Sequence, residues 1–232
     1  KIECIGIYRG FEGMIEGDFK VLDARSVNYI INKGGTFLKS ARSEEFRTKI
    51  GREKAYQRLS KEGIQALILI GGDGTFTGGM IFNKEFDFPV VGIPGTIDND
   101  ISGTNYTLGY DTALNTVVEA IDKIRDTASS HKRLFFVEVM GRDNGNLALY
   151  SAIASGACFV IIPEKEFEIN NLAERLRKGK SMSKSSSVVI VAEGNNYGTS
   201  YKITEDLIEV FDEYESKVTI LGHLQRGGSP EV

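Results

Sequence analysis

Within seven residues, Pro94-Gly95-Thr96-Ile97-Asp98-Asn99-Asp100 places two carboxylates and a hydroxyl on one short segment. Such a set suits phosphoryl transfer: one aspartate can accept the proton of an attacking hydroxyl while the other orders a metal ion or neighbouring donors. Asp and Asn also favour turns and helix caps, but a turn has no need of all these side chains together. A second segment, Gly71-Gly72-Asp73-Gly74-Thr75, has the composition of a phosphate loop. Glycines let backbone N–H groups approach phosphate closely, and a helix that follows offers its positive end to the anion. Asp73 could hold Mg²⁺, which takes one or two carboxylates plus phosphate oxygens. A tight Asp-Gly turn explains the bare pentapeptide as simply; its place after an apolar run favours the phosphate reading.

The third group is basic. Arg42 closes Gly34-Gly35-Thr36-Phe37-Leu38-Lys39-Ser40-Ala41-Arg42, Arg142 follows Met140-Gly141, and Arg226 lies in His223-Leu224-Gln225-Arg226-Gly227-Gly228. The planar guanidinium fork matches phosphate oxygens. One such arginine alone reads as a solvated charge; two beside glycines at strand ends read as an anion site. His131 and His223 lack metal-ligand spacing. His131 reads as exposed, and His223, three residues before Arg226, as a phosphate hydrogen-bond donor.

These residues need elements to hold them. Short apolar runs at 2–8, 66–70, 90–93, 134–139, 159–162, 188–191 and 218–221 read as strands, apolar throughout as for parallel strands covered on both faces. Helical patterns lie at 53–61 (with Gly63 to end it), 112–127, 146–154, 171–178 and 204–214. In the second, Ala113, Leu114, Val117, Val118, Ile121 and Ile124 share one face. The alternation predicts a doubly wound α/β fold with mainly parallel sheets. Ligands of such sheets bind beyond the carboxyl ends of the strands, where the glycine-rich segments fall. The serine-rich 181–187 stretch reads as an exposed loop.

Composition excludes some classes. With 41% hydrophobic and 26% charged residues the 232-residue chain is ordinary for a globular protein of one or two domains. A net charge of −4 argues against a nucleic-acid partner. No apolar stretch approaches the ~18 residues of a membrane span, and no signal peptide is visible. Cys4 and Cys158 each lie in an apolar run and read as reduced, buried thiols of a cytoplasmic protein. The chain begins at Lys1 inside a strand-like run and stops shortly after Gly227-Gly228-Ser229-Pro230, as expected of a piece cut at both ends.

In order, the 71–75 and 94–100 segments, Met140-Gly141-Arg142, Glu193-Gly194 and the 222–230 segment resemble bacterial-type ATP-dependent 6-phosphofructokinases, across essentially the whole chain. The resemblance implies two Rossmann-like lobes with the active site between them: 1–109 with 222–232 for ATP, and 110–221 for the sugar phosphate. It implies transfer of the γ-phosphoryl group of MgATP to the C1 hydroxyl of fructose 6-phosphate, giving fructose 1,6-bisphosphate and ADP. Asp98 would be the general base, with Thr96 and Arg142 stabilising the phosphoryl group in flight. Asp73 would bind Mg²⁺, and Arg42, Ser43, Gly72, Gly74 and Thr75 would surround ATP. Met140, Gly141 and Glu193 would hold the sugar, His223 and Arg226 its 6-phosphate, with Ile97, Leu224 and Gln225 among the contacts. Arg133 and Lys217 would reach across from a neighbouring subunit of a homotetramer.

Relatives that use pyrophosphate carry aspartate at Gly74 and lysine at Gly95, so this chain resembles the ATP type. Three departures stand out. The family's first strand, phosphate loop and following helix precede Lys1, and its closing helices follow Val232, so the chain by itself is expected to bind ATP poorly or not turn over. Lys217 replaces an arginine, giving a point charge in place of a fork. Cys158 stands where many members carry a glutamate at the allosteric nucleotide site, although Arg125 of that site is kept, which argues against classical ADP activation. The rival readings are a pyrophosphate-dependent phosphofructokinase and a catalytically silent subunit that senses sugar phosphate or nucleotide.

Overall fold

The computed structural model describes residues 2–129, 133–181 and 187–231; His131 and most of the 181–187 stretch lie outside the described residues. The chain divides into two compact units, Lys1–Gly95 with Gly228–Pro230, and Thr96–Gly227 with Glu231. The 96–109 segment and the 222–227 turn, expected with the first lobe, thus pack within the second unit.

The first unit opens on an antiparallel pair, β1 (Cys4–Ile7) and β2 (Phe19–Leu22), joined through α1 (Phe11–Glu16). A 3₁₀ turn at Glu45–Arg47 leads into α2 (Lys49–Lys61). The Thr48 hydroxyl accepts from Gly51 N and caps that helix, which therefore starts four residues before the apolar pattern at 53. Its end is a Schellman turn: Gly63, at φ 67, donates to Ser60 O, and Ile64 to Leu59 O. β3 (Leu67–Gly71) and β4 (Val90–Pro94) pair in parallel around α3 (Asp73–Phe86). Phe11, Phe46, Phe82, Phe86 and Phe88 interlock with Tyr56 to form the core.

Two expectations fail in this unit. β3 and β4 are covered on one face only: Leu67 is buried, but Ile68, Ile70 and Val91 are 69%, 62% and 62% exposed. Strand side chains alternate between faces, and no element among the described residues covers the outward set. Cys4 is exposed, and Cys158 of the second unit is only half-buried, so neither is the buried thiol expected. Cys4 lies at the start of a two-stranded ladder with too little around it to enclose a side chain.

The second unit is a four-stranded parallel sheet in the order β6-β7-β5-β8, with β5 Arg133–Val139, β6 Phe159–Ile161, β7 Ser187–Ala192 and β8 Glu215–Ile220. Burial on both faces is as expected for β5 and β7, whereas β8, at the sheet edge, leaves Glu215, Lys217 and Ile220 exposed. Phe135, Val137 and Val139 of β5 join Val188, Ile190 and Ala192 of β7 in one core with α4 (Tyr110–Ser129) and α5 (Asn146–Ser155). Leu134, Phe136, Val189 and Val191 face the other way, against α6 (Ile169–Ser181) and α7 (Ser200–Val210). α7 begins four residues before the expected 204 because the Thr199 hydroxyl accepts from Lys202 N, and it ends where Phe211 turns extended.

Among the described residues no helix is long and apolar enough to cross a membrane. Phe136 is fully buried where β5 meets β7 and β8. Phe136→Ala is expected to destabilise the protein by about 3–5 kcal/mol, read as a lower urea midpoint.

Candidate active site

Each unit carries its own set of functional side chains. In the first, β3 runs straight into α3, so Gly72 is the N-cap of that helix and Asp73 its first residue. Gly72 O accepts from Thr75 N and Phe76 N. A Cβ added at Gly71 would lie 2.5 Å from Thr75 Oγ1, whereas one at Gly72 or Gly74 meets nothing within 4 Å. The approach to the helix N-terminus is thus open on the side of Gly72 and Gly74. Asp73 is exposed there and makes no ion pair or side-chain hydrogen bond with another described residue. No group of three or more metal-ligating side chains gathers among the described residues. One carboxylate at a helix N-terminus fits an ion that arrives already bound to phosphate oxygens. Arg42 is exposed, and the Ser43 hydroxyl accepts from Phe46 N, bracing the 3₁₀ turn.

In the second unit the chemistry gathers at the carboxyl end of β5. Asp98 is 4% exposed. Its Oδ2 lies 3.0 Å from Arg142 Nε and 3.3 Å from the Thr96 hydroxyl, which also accepts from Asp98 N at 3.2 Å. Asp100 Oδ2 stands 3.9 Å from Arg142 Nη1. Burial raises the Asp98 pKa, and Asp100 and Glu193 add to that rise, while Arg142 and Thr96 oppose it. The outcome is a carboxyl that binds its proton more readily than an ordinary aspartate.

The turn that carries Arg142 is held by side chains from elsewhere. Gly141 has φ 147 and Arg142 φ 51, a left-handed conformation that a residue with a Cβ rarely adopts. Glu193 Oε1 accepts from both Gly141 N, at 3.3 Å, and Arg142 N, at 3.0 Å. Gln225 Oε1 accepts from Met140 N at 3.1 Å. Gly194 lets the turn approach, since a Cβ there would lie 1.8 Å from Arg142 O. On the other side Asn99, at φ 52, accepts from Thr107 N and donates to Asn105 O, while Asn146 donates to Asn99 O. Thr107 Oγ1 donates to Thr96 O at 2.6 Å. Together these bonds fix the backbone on which Thr96, Ile97 and Asp98 stand.

The 3₁₀ turn Gly222–Arg226 sorts its residues by face. Side chains three apart eclipse in such a turn, so His223 and Arg226 project together and are exposed, as is Leu224. Gln225 is 1% exposed. Arg133 and Lys217 lie elsewhere. Both bind the Glu215 carboxylate, at 2.9 and 2.6 Å, in the amino-terminal part of β5 and β8. Lys217 and then Arg133 hold that carboxyl down to about 2. β5 separates Arg133 from the site by seven residues, roughly 23 Å at 3.3 Å each.

The second unit thus brings together Thr96, Asp98, Arg142 and Glu193, with Met140 and Gly141 in the same turn; Arg133 and Lys217 stand apart from them. The supporting roles of Asn99, Thr107, Asn144, Asn146 and Gly194 escaped sequence reasoning. Asn144-Gly145-Asn146 is the one local signal that points to a built turn, and Asn144 indeed donates to Gly141 O.

A family model described as phosphofructokinase matches residues 1–232. ATP-dependent 6-phosphofructokinase 2 of Bacteroides thetaiotaomicron is 56% identical over 229 residues, which are 99% of this chain and 70% of that protein. The ATP-dependent 6-phosphofructokinase of Cytophaga hutchinsonii is 54% identical over 231 residues, 100% of this chain and 70% of the relative. Among solved structures, phosphofructokinase from Saccharomyces cerevisiae is similar with a TM-score of 0.93 and 36% identity, over 98% of this chain and 35% of that one. A pyrophosphate-dependent phosphofructokinase from Marinobacter aquaeolei matches with a TM-score of 0.80 at 19% identity, over 97% of this chain and 60% of its own; at that identity the likeness is one of fold.

Gly194→Ala must displace the Arg142 turn, since the added Cβ would lie 1.8 Å from Arg142 O. Displacements near 1 Å cost about a hundredfold in rate, and a loss of that order is expected in turnover per folded molecule of the full-length protein. Unchanged turnover would mean that the close approach is dispensable.

Proposed function

The chain belongs to the phosphofructokinase family, and from that premise we propose that it transfers the γ-phosphoryl group of MgATP to the C1 hydroxyl of fructose 6-phosphate. The observation that carries this reading is the nearly dry Asp98 carboxylate held between the Thr96 hydroxyl and the Arg142 guanidinium. As the C1 oxygen bonds to the γ-phosphorus, its proton passes to Asp98. The bond from the γ-phosphorus to the β–γ bridging oxygen breaks, and ADP leaves with that electron pair. Arg142 and Thr96 meet the charge on the phosphoryl oxygens, which is where positioning and electrostatics act in this chemistry. Below the Asp98 pKa the carboxyl is neutral and cannot take the proton. Its raised pKa therefore places the acid limb of activity above the ordinary aspartate range.

Arg42, Ser43, Gly72, Gly74 and Thr75 would receive ATP, with Asp73 holding the Mg²⁺ that accompanies it; that ion neutralises charge on the β- and γ-phosphates. Glu193, Met140 and Gly141 would line the sugar, and His223 and Arg226 would clamp its 6-phosphate. Ile97 and Leu224 complete the substrate contacts in this reading. A homotetramer accounts for Arg133 and Lys217: held at Glu215, far down the strands from Asp98, they would serve a neighbour's sugar phosphate. The enzyme would work in the cytoplasm.

ATP is preferred over pyrophosphate as donor because Gly74 leaves open space where an aspartate would crowd and repel the α-phosphate. Relatives at 49–56% identity carry ATP-dependent names, which supports the same choice. A silent sensing subunit has no need of Asp98, Asp73 and Arg142, all of which are present.

Asp98→Asn in the full-length enzyme is expected to lower kcat by about 10²–10⁴-fold. Binding of fructose 6-phosphate, followed by calorimetry, should change little. Equal loss of binding and rate would remove the general-base role.

A further inference from the structure

Three consecutive amides, Met140, Gly141 and Arg142, donate to side-chain carbonyl or carboxylate oxygens rather than to backbone. Two of them use Glu193, which follows β7. The first uses Gln225, eighty-five residues away in the 3₁₀ turn. Gln225 is 1% exposed, and its other polar atom, Nε2, donates to Gly222 O at 3.0 Å. Both ends of the amide are therefore engaged inside the protein, and neither is presented to a ligand. Its neighbours His223 and Arg226 are exposed on the same turn.

We propose that Gln225 is a positioning residue: its buried amide ties the 140–142 turn to the His223/Arg226 turn and so fixes Arg142 relative to Asp98. This rests on the functional reading above, and it replaces the substrate contact that sequence resemblance suggested for Gln225. The tie matters because the Arg142 side chain is itself 62% exposed, so burial alone does little to hold it. Without an acceptor, Met140 N would be left unpaired in a half-buried turn, a cost the turn relieves by moving toward water. Arg142 would move with it. The sugar-phosphate cations would lose their spacing from the same turn, while the nucleotide residues of the first unit have no part in the tie.

The test uses the full-length enzyme with Gln225→Met, which keeps shape and removes both bonds, and Gln225→Glu, which keeps an acceptor for Met140 N. For Gln225→Met, kcat/KM for fructose 6-phosphate is expected to fall about ten- to a hundredfold, with KM for ATP unchanged. The acid limb of kcat/KM should move to higher pH. With Arg142 displaced, burial, Asp100 and Glu193 all raise the Asp98 pKa, and only Thr96 still opposes them. Gln225→Glu should recover most of the loss. The limb is read only over the pH range in which circular dichroism shows each variant folded, so that acid unfolding does not pass for a shifted limb. An unmoved limb, or a Gln225→Glu variant as impaired as Gln225→Met, would overturn the proposal. If the wild-type enzyme itself shows no turnover, the functional reading fails, and hydrogen exchange at the 140–142 amides then decides this one. Faster exchange in Gln225→Met supports the tie; unchanged exchange refutes it.

Discussion

A carboxylate with 4% exposure keeps its charge only while a cation and a donor are held against it, and in this chain Arg142 and Thr96 do the holding. Much of the second unit can be understood from that requirement. Arg142 stands three residues past the end of β5, the strand paired on both sides, by β7 and β8. Every β5 residue from Leu134 to Val137 is buried. A strand packed on both faces and both edges cannot slide, so the residues that leave its carboxyl end start from a fixed point. Thr96 and Asp98 approach from a separate segment, fixed by Thr107, Asn99 and Asn146 rather than by a ladder.

The local conformation that results is costly. A left-handed backbone at a residue with a Cβ costs on the order of 1–2 kcal/mol. Hydrogen bonds to a charged group contribute roughly 1.5–3 kcal/mol, and Glu193 accepts two of them from the turn itself. The strain at Arg142 is therefore offset within the site, by the Glu193 carboxylate. Glu193 is in turn fixed by its own amide, which donates to Val139 O and extends the β5–β7 ladder past its last pair. Positioning of this kind is where phosphoryl transfer draws its rate, since the protein has little covalent work to do.

β5 and β7 were legible because burial on both faces leaves uninterrupted apolar runs, and those runs were found to within a few residues; of β8, at the sheet edge, only the apolar end was seen. The same reasoning misjudged β3 and β4. A continuous apolar run is the same whether both faces are covered or one lies open, and Ile68, Ile70 and Val91 lie open. β2 went unseen because Phe19-Lys20-Val21-Leu22 is only four residues long and interrupted by Lys20. At the site, Asp98, Thr96 and Arg142 were readable because their types have few reasons to stand together at strand ends. Gln225 was not. Its neighbours are exposed, and the inward turn of its side chain depends on Met140, far away in sequence. Glu193 was read as a sugar contact, and its hold on two backbone amides had no sequence signal at all.

The first unit contributes an open helix N-terminus at Gly72–Gly74 with an exposed Asp73 that pairs with no other described residue, a place suited to the phosphates of a nucleotide carrying its own metal ion. The central claim is that this receiver and the Asp98 site act in one reaction, with ATP as donor. Its most direct test is phosphoryl transfer to fructose 6-phosphate by the full-length protein, offered ATP and then pyrophosphate with Mg²⁺ present. Fructose 1,6-bisphosphate formed with ATP, and little or none with pyrophosphate, is the predicted result. Turnover with pyrophosphate in preference to ATP, or with neither donor, would contradict it.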